Sequence, residues 1–440
     1  MTATALVIRR PDSPLARALA IFAGAGWGVA VMGGGLDSPT GQVIAFLFLL
    51  PLSICALMAG PRPGQSGHGA RVVLWPLLLF AGGVWAALMS WPSLSPDAMA
   101  PDFFLPALLG QLSVGMALFL GIWLGDRRDG RTLELMLILT GYAALIAALL
   151  LRMIGPEMGD GIGDAMRHGR FVGTVANANM ACALFGTCAL LALGRAIEYG
   201  RPAATAAFLP GFGFWLAFFA LSGGSLLTAS RVGNLMLLVG IAIQLGHMGR
   251  IGHVLRRQYV QAMLLLGVLG LLAIICAPLL WMRAEISPVG LLERGTLWTH
   301  YAGAAMDAPL TGHGLGAFAR FNARHLVDVD LIQTLWMVNS PHNFLIGLVI
   351  AGGLPTLAMT LAAIILMARP MVGAAVHGAW RARETGLATG LALLMGEGLV
   401  DIGFDFPITA LTTALLAGLL WSRSRSGAVR IRRSGHVPAR

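Results

Sequence analysis

The chain has 440 residues, of which 57% are hydrophobic and 11% charged, with a mean hydropathy of +0.77. That composition excludes a soluble domain of this size. The net charge of +10 comes entirely from arginine, without one lysine, and its distribution follows membrane topology, so no nucleic-acid partner is expected. Apolar runs near the twenty residues needed to cross a bilayer recur along the whole length. In chain order they predict twelve spans, at 17–35, 41–60, 71–90, 105–125, 132–151, 177–195, 204–222, 231–248, 259–282, 341–368, 386–403 and 406–422. The first leads directly into the others, so a cleavable signal peptide is not expected. The expected fold is an all-α polytopic integral membrane protein, one membrane domain over 1–440 with a long outer loop at about 283–340. A shorter loop at 152–172 lies on the same side.

Arginine positions set the orientation. With the N-terminus inside, the inner segments hold Arg9, Arg10, Arg62, Arg71, Arg127, Arg128, Arg131, Arg195, Arg201 and Arg250. They also hold Arg256, Arg257, Arg369, Arg381 and Arg383, and the tail from Arg423 to Arg440. The outer segments hold only Arg152, Arg167, Arg170, Arg231, Arg283, Arg294, Arg320 and Arg324. The positive-inside rule therefore puts both termini in the cytoplasm. Cys55, Cys182, Cys188 and Cys276 all fall within predicted spans, without metal-site spacing, and read as packing residues.

Arginines on the outer side are exceptions to that rule. Arg170 runs into the sixth span, Arg231 opens the eighth, and Arg294 stands near the start of the long loop. His342 opens the apolar run from Phe344 to Met367. Taken singly, each has a plain explanation: interfacial arginines snorkel, and Asn177 and Asn179 can cap a helix or bond between spans. Taken together, fixed cations and a neutral base on one side suit a phosphorylated, membrane-borne substrate. Guanidinium binds phosphate bidentately and cannot lose its charge, so it can stabilise a diphosphate leaving group. Ser340-Pro341 reads as an N-cap and first helical position, placing His342 in a first turn that disfavours a positive ring. His342 and Gly353, eleven residues apart, would share a face after about three turns. The run from 342 to 368 is roughly 40 Å against a core of about 30 Å, and Gly352-Gly353-Leu354-Pro355 invites a break.

Several blocks carry a family resemblance. They are Arg170-x-x-Gly173-x-x-x-Asn177-x-Asn179, Thr228-x-Ser230-Arg231, Pro309-Leu310-x-Gly312-x-Gly314-x-Gly316-x-Phe318, and His342-Asn343 followed by Gly353-x-x-Thr356. In this order, over roughly 165–420, they resemble the O-antigen ligase and O-antigen (exopolysaccharide) polymerase superfamily. The late Asp401 to Pro407 stretch fits the same pattern. The resemblance implies a glycosyltransferase of the bacterial inner membrane, with the site and the long loop at about 283–340 periplasmic and neither metal nor cofactor. The donor would be a glycan on undecaprenyl diphosphate. The acceptor would be lipid A-core for a ligase or a growing glycan for a polymerase, for which a chain-length regulator is a further conceivable partner. Carried over, Arg231 and Arg294 would bind the diphosphate and His342 would deprotonate the acceptor hydroxyl. Arg170, Asn177, Asn179, Asn343 and Gly353 would assist substrate binding. The His342 to Gly353-x-x-Thr356 pattern favours ligase over polymerase.

Other signals weigh less. Asp328-Val-Asp330 has a metal-binding form but reads as a solvated loop. Gly312-His313-Gly314-Leu315-Gly316 makes tight turns rather than a nucleotide loop. Asp126-Arg127-Arg128-Asp129-Gly130-Arg131 resembles a transporter loop only loosely, yet a flippase or transporter is the non-enzymatic rival. Glu397 and Asp401 are charges inside or at the end of a span, each costing about 2.5–3.5 kcal/mol, so they need partners. Asp401 is the better placed to pair with an outer arginine. Proton coupling is the alternative use.

Overall fold

The computed structural model describes residues 13–60, 74–91, 94, 101–125, 129–154, 171–175, 177–199, 208–247, 287–336, 338–401 and 403–434. Among these residues the fold is wholly helical, with no strand. Eleven of the twelve predicted spans coincide with helices; the ninth, at 259–282, lies outside the described residues. Among the described residues six helices are long and apolar enough to cross a membrane, and three shorter ones are also apolar. Helices are the economical answer here, because lipid offers backbone groups no hydrogen-bonding partner.

The first five helices are α1 (Pro14–Met32), α2 (Pro39–Met58), α3 (Leu74–Met89), α4 (Pro101–Gly125) and α5 (Gly130–Ile154). Then come α6 (Ala178–Tyr199), α7 (Phe208–Leu227) and α8 (Arg231–His247). The bundle is completed by α12 (Phe344–Val376), α13 (Ala382–Val400) and α14 (Pro407–Ser434). At the centre stands α6, buried from Met180 to Ile197 and packed on α5, α7, α8 and α13. A helix apolar on every side has to be enclosed in this way. Close crossings rely on missing side chains. At the α4–α14 contact a Cβ on Gly121 would strike the Leu415 carbonyl, and one on Gly418 would strike the Leu118 carbonyl. Trp27 ties α1 to α14 by donating its indole N–H to Thr412 Oγ1 at 2.7 Å.

The long loop is structured. It contains α9 (Ser287–Ala305), α10 (Phe318–His325) and α11 (Val329–Leu335). Leu297, Tyr301, Ala305, Phe321 and Leu335 form a small core with Val349 and Ile350 of α12. Asn322 pins it: its Oδ1 accepts from Tyr301 Oη at 2.7 Å, and its Nδ2 donates to the Leu335 carbonyl at 3.1 Å. Hydropathy misses such an element because its apolar residues are few and serve a local core.

The expected break in α12 is present, at Gly352 (φ −158°, ψ 26°) and Gly353 (φ 70°, ψ −173°). The segment around Gly312 fills it. His313 N–H donates to the Ile350 carbonyl at 2.7 Å, and Leu354 N–H donates to the Pro309 carbonyl at 2.7 Å. Trp85 of α3 adds an indole N–H to the Gly352 carbonyl at 3.0 Å. Backbone groups released by the break are thus re-paired, as burial requires. A Cβ on Gly353 would stand 2.6 Å from the Pro309 and Leu310 carbonyl oxygens. Gly312, Gly314 and Gly316 all have positive φ, which is the tight turning expected of that block.

Candidate functional site

The site is organised on one carboxylate. Asp401 caps the C-terminal end of α13, where the helix dipole disfavours a negative charge, and it is 4% exposed. Among the described residues, three groups compensate. Arg294 of α9 forms a salt bridge to Asp401 Oδ2. Asn179, in the first turn of α6, donates its Nδ2 to the same oxygen at 2.5 Å. His342 Nδ1 lies 3.7 Å from Asp401 Oδ1, longer than a hydrogen bond but facing it. The pairing of Asp401 with an arginine is therefore realised. Residues spread over more than two hundred positions meet at one end of the bundle.

Each member is held from behind. Arg294 and Trp298 are four apart on α9 and so share a face. Trp298 donates its indole N–H to the His342 carbonyl at 3.2 Å, so one helix grips both the carboxylate and the histidine segment. His342 has φ 52°, a left-handed conformation that costs a non-glycine residue on the order of 1–2 kcal/mol. Its backbone N–H reaches Ser340 Oγ at 3.4 Å, and Ser340 in turn donates to the Asp405 carboxylate. Ala229, two residues before Arg231, shares the left-handed conformation at φ 52°. Two of the three such non-glycine residues among those described thus lie in site segments.

The helix start differs from expectation. Asn343, not Ser340, is the N-cap of α12: its Oδ1 accepts from Leu345 N at 2.9 Å and Ile346 N at 3.3 Å. Its Nδ2 donates to the Leu399 carbonyl of α13 at 2.8 Å, and this tertiary contact fixes the boundary. His342 therefore precedes the helix instead of occupying its first turn. With the break at Gly352-Gly353 between them, His342 and Gly353 do not share a continuous helical face. The neutral ring has another cause. Burial pushes the His342 pKa below its ordinary value, against an upward pull from Asp401, and the Arg294 cation adds to the lowering.

The other sequence candidates are placed as follows. Asn177 caps α6, its Oδ1 accepting from Asn179 N at 2.8 Å and Met180 N at 3.1 Å. Arg231 is the first residue of α8 and is exposed. Ser230 beside it is buried and donates to Glu397 Oε1 at 3.1 Å. Gly353 is taken up by the docked 309–312 backbone, and Asn343 by the cap and α13. Arg170 lies outside the described residues. Asp328 caps α11, accepting from Asp330 N at 3.0 Å. Among the described residues no group of three or more His, Cys, Asp or Glu is arranged to hold a metal ion. Sequence reasoning missed Trp298, whose signal was its i+4 spacing from Arg294, and the Ser340–Asp405 support.

Chemically, the arrangement offers a neutral imidazole with Nδ1 turned to a carboxylate, leaving Nε2 to take a proton. A guanidinium that is 31% exposed stands beside it, able to meet an anion. Neither protein-family models nor curated proteins gave a match to the chain.

Proposed function

We propose that this protein is a metal-independent membrane glycosyltransferase of the O-antigen-ligase type. It transfers a glycan from undecaprenyl diphosphate to an acceptor sugar hydroxyl at the periplasmic face of a bacterial inner membrane. The observation that carries this reading is the meeting of His342, Arg294 and Asn179 on the Asp401 carboxylate at one end of a membrane bundle. The ordered blocks that resemble the ligase and polymerase superfamily supply the reaction class.

In this mechanism His342 Nε2 accepts the proton of the acceptor hydroxyl while Asp401 faces Nδ1 and steadies the resulting imidazolium. The acceptor oxygen forms a bond to the anomeric carbon of the donor glycan. The bond from that carbon to the diphosphate oxygen breaks, and its electron pair leaves with undecaprenyl diphosphate. Arg294 and Arg231 neutralise the charge that develops on the leaving group. Asp401 is a positioning residue here, because it acts through Arg294 and His342.

Deletion of the gene tests the reading in the envelope polysaccharide. A ligase predicts polymerised glycan retained on its lipid carrier beside bare lipid A-core. Single repeats would instead identify the polymerase activity of the same superfamily, and wild-type polysaccharide would contradict both.

A further inference from the structure

Glu397 is a buried carboxylate that the mechanism above leaves unused. It sits in α13 one turn before Asp401, whose N–H donates to the Glu397 carbonyl at 2.8 Å, and it is 2% exposed. Among the described residues its side-chain hydrogen bonds come from the start of α8 and not from an arginine. It accepts a hydrogen bond from Ser230 Oγ at 3.1 Å and another from the backbone N–H of Gly233. Both donors belong to the start of α8. Asn234 N–H donates to the Ser230 carbonyl at 3.1 Å, the first bond of that helix, so Ser230 is the N-cap and Gly233 its third residue. An N-cap serine ordinarily accepts from that third amide itself. Here the Ser230 hydroxyl donates away, and the carboxylate from α13 accepts in its place. Gly233 makes room, because a Cβ there would strike Glu397 Oε1 and stand 2.6 Å from Cys182 Sγ. A carboxyl oxygen, with its partial negative charge, at the positive end of α8 is also electrostatically favourable.

We propose that Glu397 is a positioning residue for Arg231, capping α8 from α13 and fixing the first helical residue in place. The last turn of α13 then sets both arginines: Asp401 holds Arg294, and Glu397, four residues earlier, holds the helix start that carries Arg231. This inference rests on the reading of Arg231 as a diphosphate-binding group and identifies what sets its distance from Arg294.

Two measurements on the purified full chain in phosphatidylethanolamine/phosphatidylglycerol nanodiscs test it. In hydrogen–deuterium exchange, Glu397→Ala should speed exchange in the first turn of α8 by about tenfold, the scale of losing a cap, with α1 and α14 unchanged. Glu397→Gln keeps an acceptor oxygen and should restore protection. Unchanged exchange at α8, or a rise in every helix alike, would overturn the cap. The second measurement is the affinity for farnesyl diphosphate. Glu397→Ala and Arg231→Ala should weaken it to a similar extent, and the double variant no further. Additive losses would overturn action through Arg231. If the wild type fails to bind this diphosphate, the donor assignment of Arg231 falls, while the exchange result still decides the cap.

Discussion

Two ionic clusters occupy opposite ends of the same helices, and they differ in openness. On α6, Asn179 and Arg195 are sixteen residues apart, about 24 Å. Around Arg195 the cluster is closed: Glu134 of α5 faces Arg195 at 3.7 Å and Arg383 of α13 at 3.9 Å, and is bridged by Arg423 of α14. Arg383 also binds Glu384 at 2.9 Å. The Glu134 side chain is 1% exposed, and its three arginine partners are 10% or less. Around Asn179 the cluster is part-open, with His342 26% and Arg294 31% exposed about a buried Asp401. Charges of the first kind are spent on one another and clamp four helices together. Those of the second retain surface, which the proposed transfer requires.

The comparison can be broken at either end. Glu134→Ala leaves buried guanidiniums without their anion and should cost about 3–5 kcal/mol, read as a fall in thermal unfolding temperature in detergent. Transfer activity per folded molecule should hardly change; an unaltered melting temperature would remove the clamp. Between the two ends, Gly353→Ala forces a side chain into a left-handed residue and against the Pro309 and Leu310 carbonyls. It should cost about 2–4 kcal/mol and loosen the docked 309–316 segment, visible as faster amide exchange there.

At the open end, Asp401→Asn should slow transfer on the order of tenfold to a hundredfold and shift its pH dependence. The sign follows from the charges. The wild-type His342 pKa is already below 6.5, so activity should hold at neutral pH and fall on an acid limb below that value. Removing the Asp401 charge removes the upward pull, so the limb should move to still lower pH. Arg294→Gln removes a downward push and should move it up. A limb that stays fixed in both variants would detach His342 from the cluster.

Much of this was legible from residue patterns, for identifiable reasons. Helices were readable because a bilayer demands long apolar runs, and the α12 break because Gly352-Gly353-Leu354-Pro355 cannot continue a helix. The need of Asp401 for a cation followed from the cost of burying charge. The helix start at Phe344 was not legible, because Asn343 is fixed by a contact to Leu399 that only the tertiary fold creates. The Glu134 clamp was hidden for a different reason. Arg195, Arg383 and Arg423 satisfy the positive-inside pattern, so topology already explained them and nothing called for a partner. Gly353 was a binding candidate from its family-like spacing, yet its space belongs to the 309–312 backbone.

The most direct test of the central claim is transfer by the purified His342→Ala protein, from a lipid-diphosphate-linked glycan to lipid A-core, beside its melting temperature. Loss of a general base predicts a fall in rate of about a hundredfold to ten-thousandfold, with the melting temperature close to that of the wild type. Wild-type transfer by His342→Ala would contradict the account.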